Sequence, residues 1–304
     1  MKIYIFADQE GVAGVFNRRE GYLNASEYAT MELAAICEAL LDNGVTEIVL
    51  NTIHVMEYHK LPKPVQIIHG LPRHDIFTEL LDESFDAGML VGFHEMAGNR
   101  EKGCWRHSIL PHPITRAYSA VEGIWLNDLL VGEIGIFVAF AGIHNVPAVL
   151  NTGDYWACLE AEDLVPGIET VAVKKGTSHF SAISMTPQAA AEAAAEGAVR
   201  ALGKIGVVKP LKLEGPVTLK VKYTFAERAT DAMSAVANAF RIDEHTVAAT
   251  YPSIAAVRDN LGNLRAPEME IYAKDSGFSQ TTGFFTRTGG EPYESKPTYP
   301  PPSR

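Results

Sequence analysis

Three short apolar stretches in the first third of the chain each end in side chains that bind cations. Lys2 to Ala7 runs into Asp8-Gln9-Glu10-Gly11, Glu47 to Asn51 into Thr52-Ile53-His54, and Gly88 to Phe93 into His94-Glu95. In an open parallel sheet, ligands gather at the carboxyl ends of the strands. Three such strands would deliver Asp8, Glu10, His54 and His94 to one edge. Two carboxylates and two imidazoles suit zinc, and also manganese or cobalt, with no cysteine ligand needed. The chemistry of such a set is Lewis-acid hydrolysis. Each member also has a plainer reading. Asp8 and Glu10 can be a turn or helix-capping pair, and His54 and His94 can be structural histidines. The coincidence at three strand ends raises the metal reading level with the plainer one.

Other polar residues are weaker candidates. His59, His69, His74 and His112 lie in polar or proline-flanked stretches and are read as non-ligands. Ser108 follows His107 but lacks a nucleophile elbow, so a structural role is expected. Gly11 and Gly14 lack the third glycine of a dinucleotide fingerprint, and Glu10 would repel a pyrophosphate. Lys174 and Lys175 end another predicted strand and read as a solvated charge pair, or else as neutralising a peptide carboxylate or the acidic edge. Asp154 reads as a helix cap.

The elements that must position these groups alternate strand and helix. Ser26 to Leu41 predicts a helix capped by Ser26, and Phe77 to Glu83 a short helix. Two β-rich pieces near Trp125 and Leu129 flank a tight turn at Asn127-Asp128. Glu133 to Ala141 is an apolar helix, Ala148 to Asn151 and Val171 to Val173 are strands, and Thr186-Pro187 opens an alanine-rich helix. The pattern predicts an α/β domain over residues 1–209, a mostly parallel sheet with helices on both faces. Beyond residue 209 the character shifts. Val217, Leu219, Val221 and Tyr223 alternate with Thr218, Lys220 and Lys222, a strand with one wet face. A helix around Glu227 to Ala239, a strand at Thr246 to Thr250 and a helix from about Ser253 complete a smaller α+β part over 210–288. Residues 289–304 form a proline-rich tail, expected to be mobile or ordered on a neighbouring subunit.

Composition sets the outer limits. A chain of 304 residues with 47% hydrophobic residues needs no disulfide staples. Cys37, Cys104 and Cys158 form no CxxC pair and fit a reducing cytosol. With 26 basic and 37 acidic residues the net charge is −11, which argues against binding nucleic acid or an anionic membrane. No apolar run approaches the ~20 residues of a membrane span, and the N-terminus does not read as a signal peptide. A cytoplasmic protein is expected.

Five segments together resemble the zinc-dependent D-aminopeptidases, self-compartmentalising bacterial peptidases associated with dipeptide uptake. The opening KIYIFADQEGVAGV is similar to the family's D-x-E-G-[IV]-x-G motif, and GVTEIVLNTIH and VGFHEMAG to its next two strands and their histidines. Arg106-His107-Ser108 matches a His-Ser pair, and NDLLVGEIGI the segment N-D-x-x-V-G-E-[IL]-G. The resemblance runs from Met1 to about Pro210. It implies two zinc ions bridged by Asp8, with Glu10 and His54 completing one coordination sphere and His94 and Glu133 the other. It makes His107 a catalytic histidine outside the metal shell. By itself, Glu133 reads equally as a carboxylate needing a cation in an apolar frame or as a first-turn residue favoured by the helix dipole.

The implied activity is that of a metallo-aminopeptidase on short peptides or amino-acid amides, D-residues included. The implied assembly is a ring-shaped homo-oligomer, a decamer, with active sites facing an inner channel. Two departures stand out. Asn51-Thr52-Ile53 replaces the family's Asn-Asp-Ser, exchanging an acidic group for Thr52 and a small polar one for Ile53. The helix-rich family ending is not obvious either. Another two-metal amidohydrolase, a phosphoesterase, or a peptide-binding protein that has lost turnover are the competing readings.

Overall fold

The computed structural model describes residues 1–16, 18–69, 75–100, 102–109, 121–265, 278–279 and 286–287. His74, His112 and the tail 289–304 lie outside the described residues. The elements in chain order are β1 (Lys2–Ala7), α1 (Arg18–Asp42), β2 (Glu47–Thr52), β3 (Val65–His69), β4 (Ala87–Phe93), β5 (Val121–Leu126) and β6 (Leu129–Val131). Then follow α2 (Glu133–Ile143), β7 (Ala148–Asp154), α3 (Tyr155–Leu164), β8 (Glu169–Ser178), β9 (Ser181–Ser184) and α4 (Pro187–Leu202). The last are β10 (Val217–Tyr223), α5 (Ala226–Ala235), β11 (Ala239–Arg241), β12 (Thr246–Tyr251) and α6 (Ile254–Arg265).

The main sheet has the order β3-β2-β1-β4-β7-β8-β9. It is parallel from β3 to β8, and β9 turns back antiparallel on β8. From β1 the chain builds outward through β2 and β3, then returns to β4 on the other side and continues to β7 and β8. The winding therefore reverses between β1 and β4, and such a reversal opens a ligand crevice above the strand ends. Every residue of β4 and β7 is buried, so both faces of the sheet centre are covered, as expected for an α/β fold. α1 packs on α4, and α2 packs on β4, α3 and α6.

A second, antiparallel sheet has the order β11-β12-β10-β5-β6. In β10 the expected alternation holds: Val217, Leu219, Val221 and Tyr223 are buried and the residues between them half-exposed. The β5–β6 turn places Asn127 at φ 56°, with its side-chain oxygen accepting from the Thr218 amide at 2.8 Å. This sheet takes strands from both sides of residue 209.

Three local expectations are corrected. α1 starts at Arg18, so Ser26 lies inside it; residues 18–25 include Arg, Glu, Leu and Ala, good helix formers that extend it. The stretch 77–83 is not helical. The Asp75 carboxylate captures the amides of Phe77 and Thr78 at 2.7 and 3.0 Å, and Leu80 sits at φ 61°, which a helix excludes. α5 ends at Ala235 because Val236 is already extended, at φ −117° and ψ 111°.

Two contacts hold the crevice in shape. Phe137 of α2 stacks on Phe6 of β1, with ring centroids 5.8 Å apart and planes 9° apart, which fixes the helix and with it Glu133 at its first position. The chain after β1 also runs in backbone contact with the end of β4. Asp8 N donates to Val91 O at 2.8 Å and Gly11 N to Gly92 O at 2.7 Å. A Cβ on Gly11 would lie 1.8 Å from Phe93 O; Gly92 has φ +81°, and a Cβ there would lie 2.4 Å from Asp8 O. Gly92→Ala combines left-handed strain with a backbone clash, and is expected to cost about 3 kcal/mol or more. Urea unfolding of the metal-free protein checks this, and a cost below about 1 kcal/mol would show that the two strand ends move apart freely.

Candidate metal centre

The strand ends meet as the sequence predicts. Asp8 and Glu10 follow β1, His54 follows β2, His94 follows β4, Glu133 opens α2, and His107 comes from the loop after β4. Their donor atoms form two clusters, Asp8 with Glu10 and His54, and His94 with His107 and Glu133; within each cluster the donors lie inside 4.8 Å of one another. Asp8 joins the clusters. Its Oδ1 is 2.8 Å from His54 Nε2 and its Oδ2 is 3.4 Å from His94 Nε2. Glu10 Oε2 is 3.4 Å from His54 Nε2, and Glu133 Oε1 is 3.5 Å from His94 Nε2 and 3.9 Å from His107 Nε2. The rings of His94 and His107 stack with centroids 4.0 Å apart.

The donor set fits a cation. His94 Nδ1 is 3.0 Å from the Glu95 carbonyl and His107 Nδ1 is 2.9 Å from the Trp105 carbonyl. A carbonyl only accepts, so both Nδ1 atoms carry the proton, and a neutral ring then turns a lone pair at Nε2 toward the carboxylates. Lone pair would face lone pair. Consistently, Asp8 Oδ2, Glu10 Oε2 and His94 Nε2 are buried with no hydrogen-bond partner. A proton or a metal must stand between them.

Without metal, protons fill that need. Burial raises Asp8 to about 7, with the charge of Glu10 adding to the effect. Burial also works against the charge on Glu10, but His54 and Asp8 outweigh it and hold its carboxyl well below the usual range. Glu133 is lowered likewise, against burial, by the charge and hydrogen bond of His94. Burial would depress His54 and His94, yet the carboxylates raise them to about 9 and about 10. His107 moves the other way, lowered by burial and by the charge of His94. His54 and His94 are thus each tuned to hold a proton against the carboxylates, while the lowering of His107 favours its neutral form.

The D-aminopeptidase family model matches residues 1–261. The chain belongs to the D-aminopeptidase family. The D-aminopeptidase of Bacillus subtilis (strain 168) is 28% identical over 233 residues, 73% of this chain and 81% of that protein. Among solved structures, the Zn-dependent D-aminopeptidase DppA from Bacillus subtilis, a self-compartmentalizing protease, superposes with a TM-score of 0.81. That match is 24% identical and covers 88% of this chain and 98% of that one, a likeness of fold. Membership makes this protein a hydrolase of the metallo-aminopeptidase class. Among the described residues, no helix is long and apolar enough to cross a membrane.

The surroundings of the centre refine several sequence readings. Thr52, at the first departure from the family pattern, is fully buried, and its hydroxyl accepts from the His54 amide at 3.1 Å. It shapes the turn that presents His54. Ile53, the other replaced residue of that stretch, is 39% exposed and lies on the surface. His69 is no ligand; its Nδ1 is 2.7 Å from the Tyr58 hydroxyl, which lies 3.2 Å from the His54 carbonyl and braces that turn. Ser108 accepts from the Ala97 amide at 3.1 Å, a structural contact as expected. Asp154 caps α3 through the Trp156 amide at 3.1 Å, and also receives the Cys104 and Gly176 amides, each at 3.1 Å.

Lys174 corrects the sequence reading, since it is not solvated but buried. Glu95, which the sequence did not mark, is also fully buried and gathers the amides of Arg100, Lys102 and Gly103 at 2.8, 2.9 and 2.5 Å. It folds the loop that leads to His107. The only signal for it was a carboxylate directly after a ligand.

Two outcomes follow. His54→Ala and His94→Ala are each expected to lower metal content by at least tenfold at micromolar free metal, measured by atomic emission, a loss typical of a deleted metal contact (~10–100-fold). The raised imidazoles also give the metal-free protein an alkaline weakness. Their stabilisation is complete below the unfolded value of about 6.5 and is lost as pH climbs through about 9 and 10. Melting temperature of the chelated protein should therefore fall from pH 8 to pH 10, where the carboxylates are already ionised, and zinc should flatten that fall. A flat profile without metal would refute the assignment of protons to the two histidines.

Proposed function

We propose that the centre holds two divalent metal ions, zinc above all, with manganese and cobalt as substitutes. We propose further that the protein removes the N-terminal residue from short peptides or amino-acid amides, D-residues among them. The observation that carries this reading is the placement of Asp8, whose two oxygens face different histidines, one in each donor cluster. That is how a carboxylate shared by two ions stands. Glu10 and His54 would complete one ion's ligands, and His94 and Glu133 the other's. Ions in these positions supply Lewis acidity to a scissile carbonyl and ionise water near neutral pH.

The chain's own residues supply the rest. Two divalent ions would outweigh the charge of Asp8, Glu10 and Glu133, so the loaded centre would favour a peptide's free α-amine in its neutral, ligating form, which suits an exopeptidase. His107 has its Nδ1 proton committed to the Trp105 carbonyl and its Nε2 turned toward the centre. Kept neutral by burial and by His94, it can take a proton from the attacking water and pass it to the leaving amine. It lies within the cluster of His94 and Glu133, but Asp8 already serves that side as the third ligand, which leaves His107 free for proton transfer.

Phosphoester hydrolysis is less well supported, because the buried cation nearest the centre, Lys174, is bonded to backbone carbonyls. Thr52 still holds the His54 turn, so the departure from the family pattern leaves the donor set intact, which favours an active enzyme over an inactive binder. The self-compartmentalizing relative supports a homo-oligomeric ring, a decamer in our reading. Three buried free thiols, Cys37, Cys104 and Cys158, accord with the reducing cytoplasm.

The test loads chelated protein with zinc, manganese or cobalt and follows release of D-alanine and L-amino acids from dipeptides and amides. Activity with at least one metal is expected, and none with any metal would sink the reading. His107→Ala should lower kcat by about 10²–10⁴-fold, the usual worth of a general acid–base, while keeping full metal content; loss of metal as well would make His107 a ligand.

A further inference from the structure

We infer that Lys174 is a positioning residue for the metal centre, a buried ammonium that fixes the backbone of Glu10 and so holds that carboxylate against His54. The inference rests on reading the centre as a metal site. Lys174 lies on β8, paired with Asp154 of β7 and Ser184 of β9, and is 3% exposed. It belongs to neither donor cluster. Its Nζ donates to the Glu10 carbonyl at 2.5 Å and to the Val15 carbonyl at 2.6 Å.

Those two bonds span the turn that carries the ligand. Inside the span the turn is pinned from other directions. Gly11 N donates to Gly92 O at 2.7 Å, Ala13 N to Glu32 Oε1 at 3.1 Å, and Gly14 N to Ser184 Oγ at 3.0 Å. The Glu10 carbonyl and the Gly11 N–H belong to one planar peptide unit, so Lys174 Nζ and Gly92 O hold that plane from its two edges and together fix the backbone from which the carboxylate projects. The Ala13 and Gly14 contacts do not touch that plane.

A neutral donor would satisfy a carbonyl, so the charge calls for a reason. A buried ammonium is costly unless its field is used. The field of Lys174 acts on Cys104, Asp154, Glu10 and Glu32. Glu10 is the metal-centre carboxylate among them, and a fixed cation bonded to its carbonyl favours its ionised form while leaving its ligand atoms free for metal.

The experiment compares full-length wild type, Lys174→Met, Lys174→Gln and a control on the second sheet, Lys220→Met, whose ammonium lies over the Trp125 ring at 4.3 Å. Zinc affinity is measured by competition with a chromophoric chelator, cobalt(II) absorption is recorded on the same samples, and near-UV circular dichroism reports the fold. Folded Lys174→Met should bind one of its two zinc ions about 10–100-fold more weakly, the usual effect of removing a group that orients a ligand. Its cobalt spectrum should change, and saturating zinc should restore kcat with KM unchanged. Lys174→Gln, which keeps a donor without the charge, should recover part of the affinity, and Lys220→Met should match wild type. Unaltered zinc affinity and cobalt absorption in folded Lys174→Met would overturn the inference. Failure of both Lys174 variants to fold would also overturn it, assigning the residue to stability alone. Wild type that takes up neither zinc nor cobalt would instead remove the metal reading beneath it.

Discussion

Three carboxylates and three imidazoles share one buried crevice, and the need to place positive charge among them governs the rest of the molecule. Removing ionised carboxylates from water costs several kcal/mol each unless a counter-charge is supplied. The protein supplies it locally, with Nε2 of His54 and of His94 facing the carboxylates, where either a proton or a metal can stand. The surrounding architecture keeps six side chains from relaxing apart. The reversal of winding at β1 and β4 opens the crevice, the glycine contact between Gly11 and Gly92 locks its two walls together, and the aromatic stack under α2 sets Glu133 at its rim.

Much of this was legible in the sequence, because the strand ends are short and apolar and stop abruptly at Asp, Thr-Ile-His and His. Period and composition gave the strands, and the rule that ligands collect above parallel strand ends brought Asp8, Glu10, His54 and His94 together. Glu133 and His107 needed the family resemblance, since a first-turn glutamate and a loop histidine have ordinary explanations. What stayed hidden were residues that act through the backbone. Glu95 collects three amides from a loop whose path no periodicity reveals. Lys174 beside Lys175 looks in sequence like any exposed charge pair, and only the burial of its strand separates the two. The two missed helix readings have opposite causes: good helix formers before Ser26 extend α1, whereas at 77–83 the Asp75 carboxylate captures the amides of Phe77 and Thr78 and overrules propensity.

The same preference for backbone over side-chain support runs through the region around the centre. Thr52 fixes the His54 turn through its amide, and Asp154 ties the 102–109 loop to β8 through the amides of Cys104 and Gly176. A site held this way tolerates substitution on its surface, as the exposed Ile53 illustrates, while its ligand geometry stays put.

The second sheet has a meaning for how this protein can be altered or inherited. Its β5–β6 hairpin leads through Gly132 directly into Glu133, and it is hydrogen-bonded on its other side to β10. A gene fragment ending between α4 and β10 would leave β5 with a bare edge, open to pairing with other chains, and would unmoor the segment that delivers Glu133. The chemistry of the first half is therefore not portable. It cannot be excised, fused to another partner or shuffled by recombination without carrying the strands from the last third of the chain along with it.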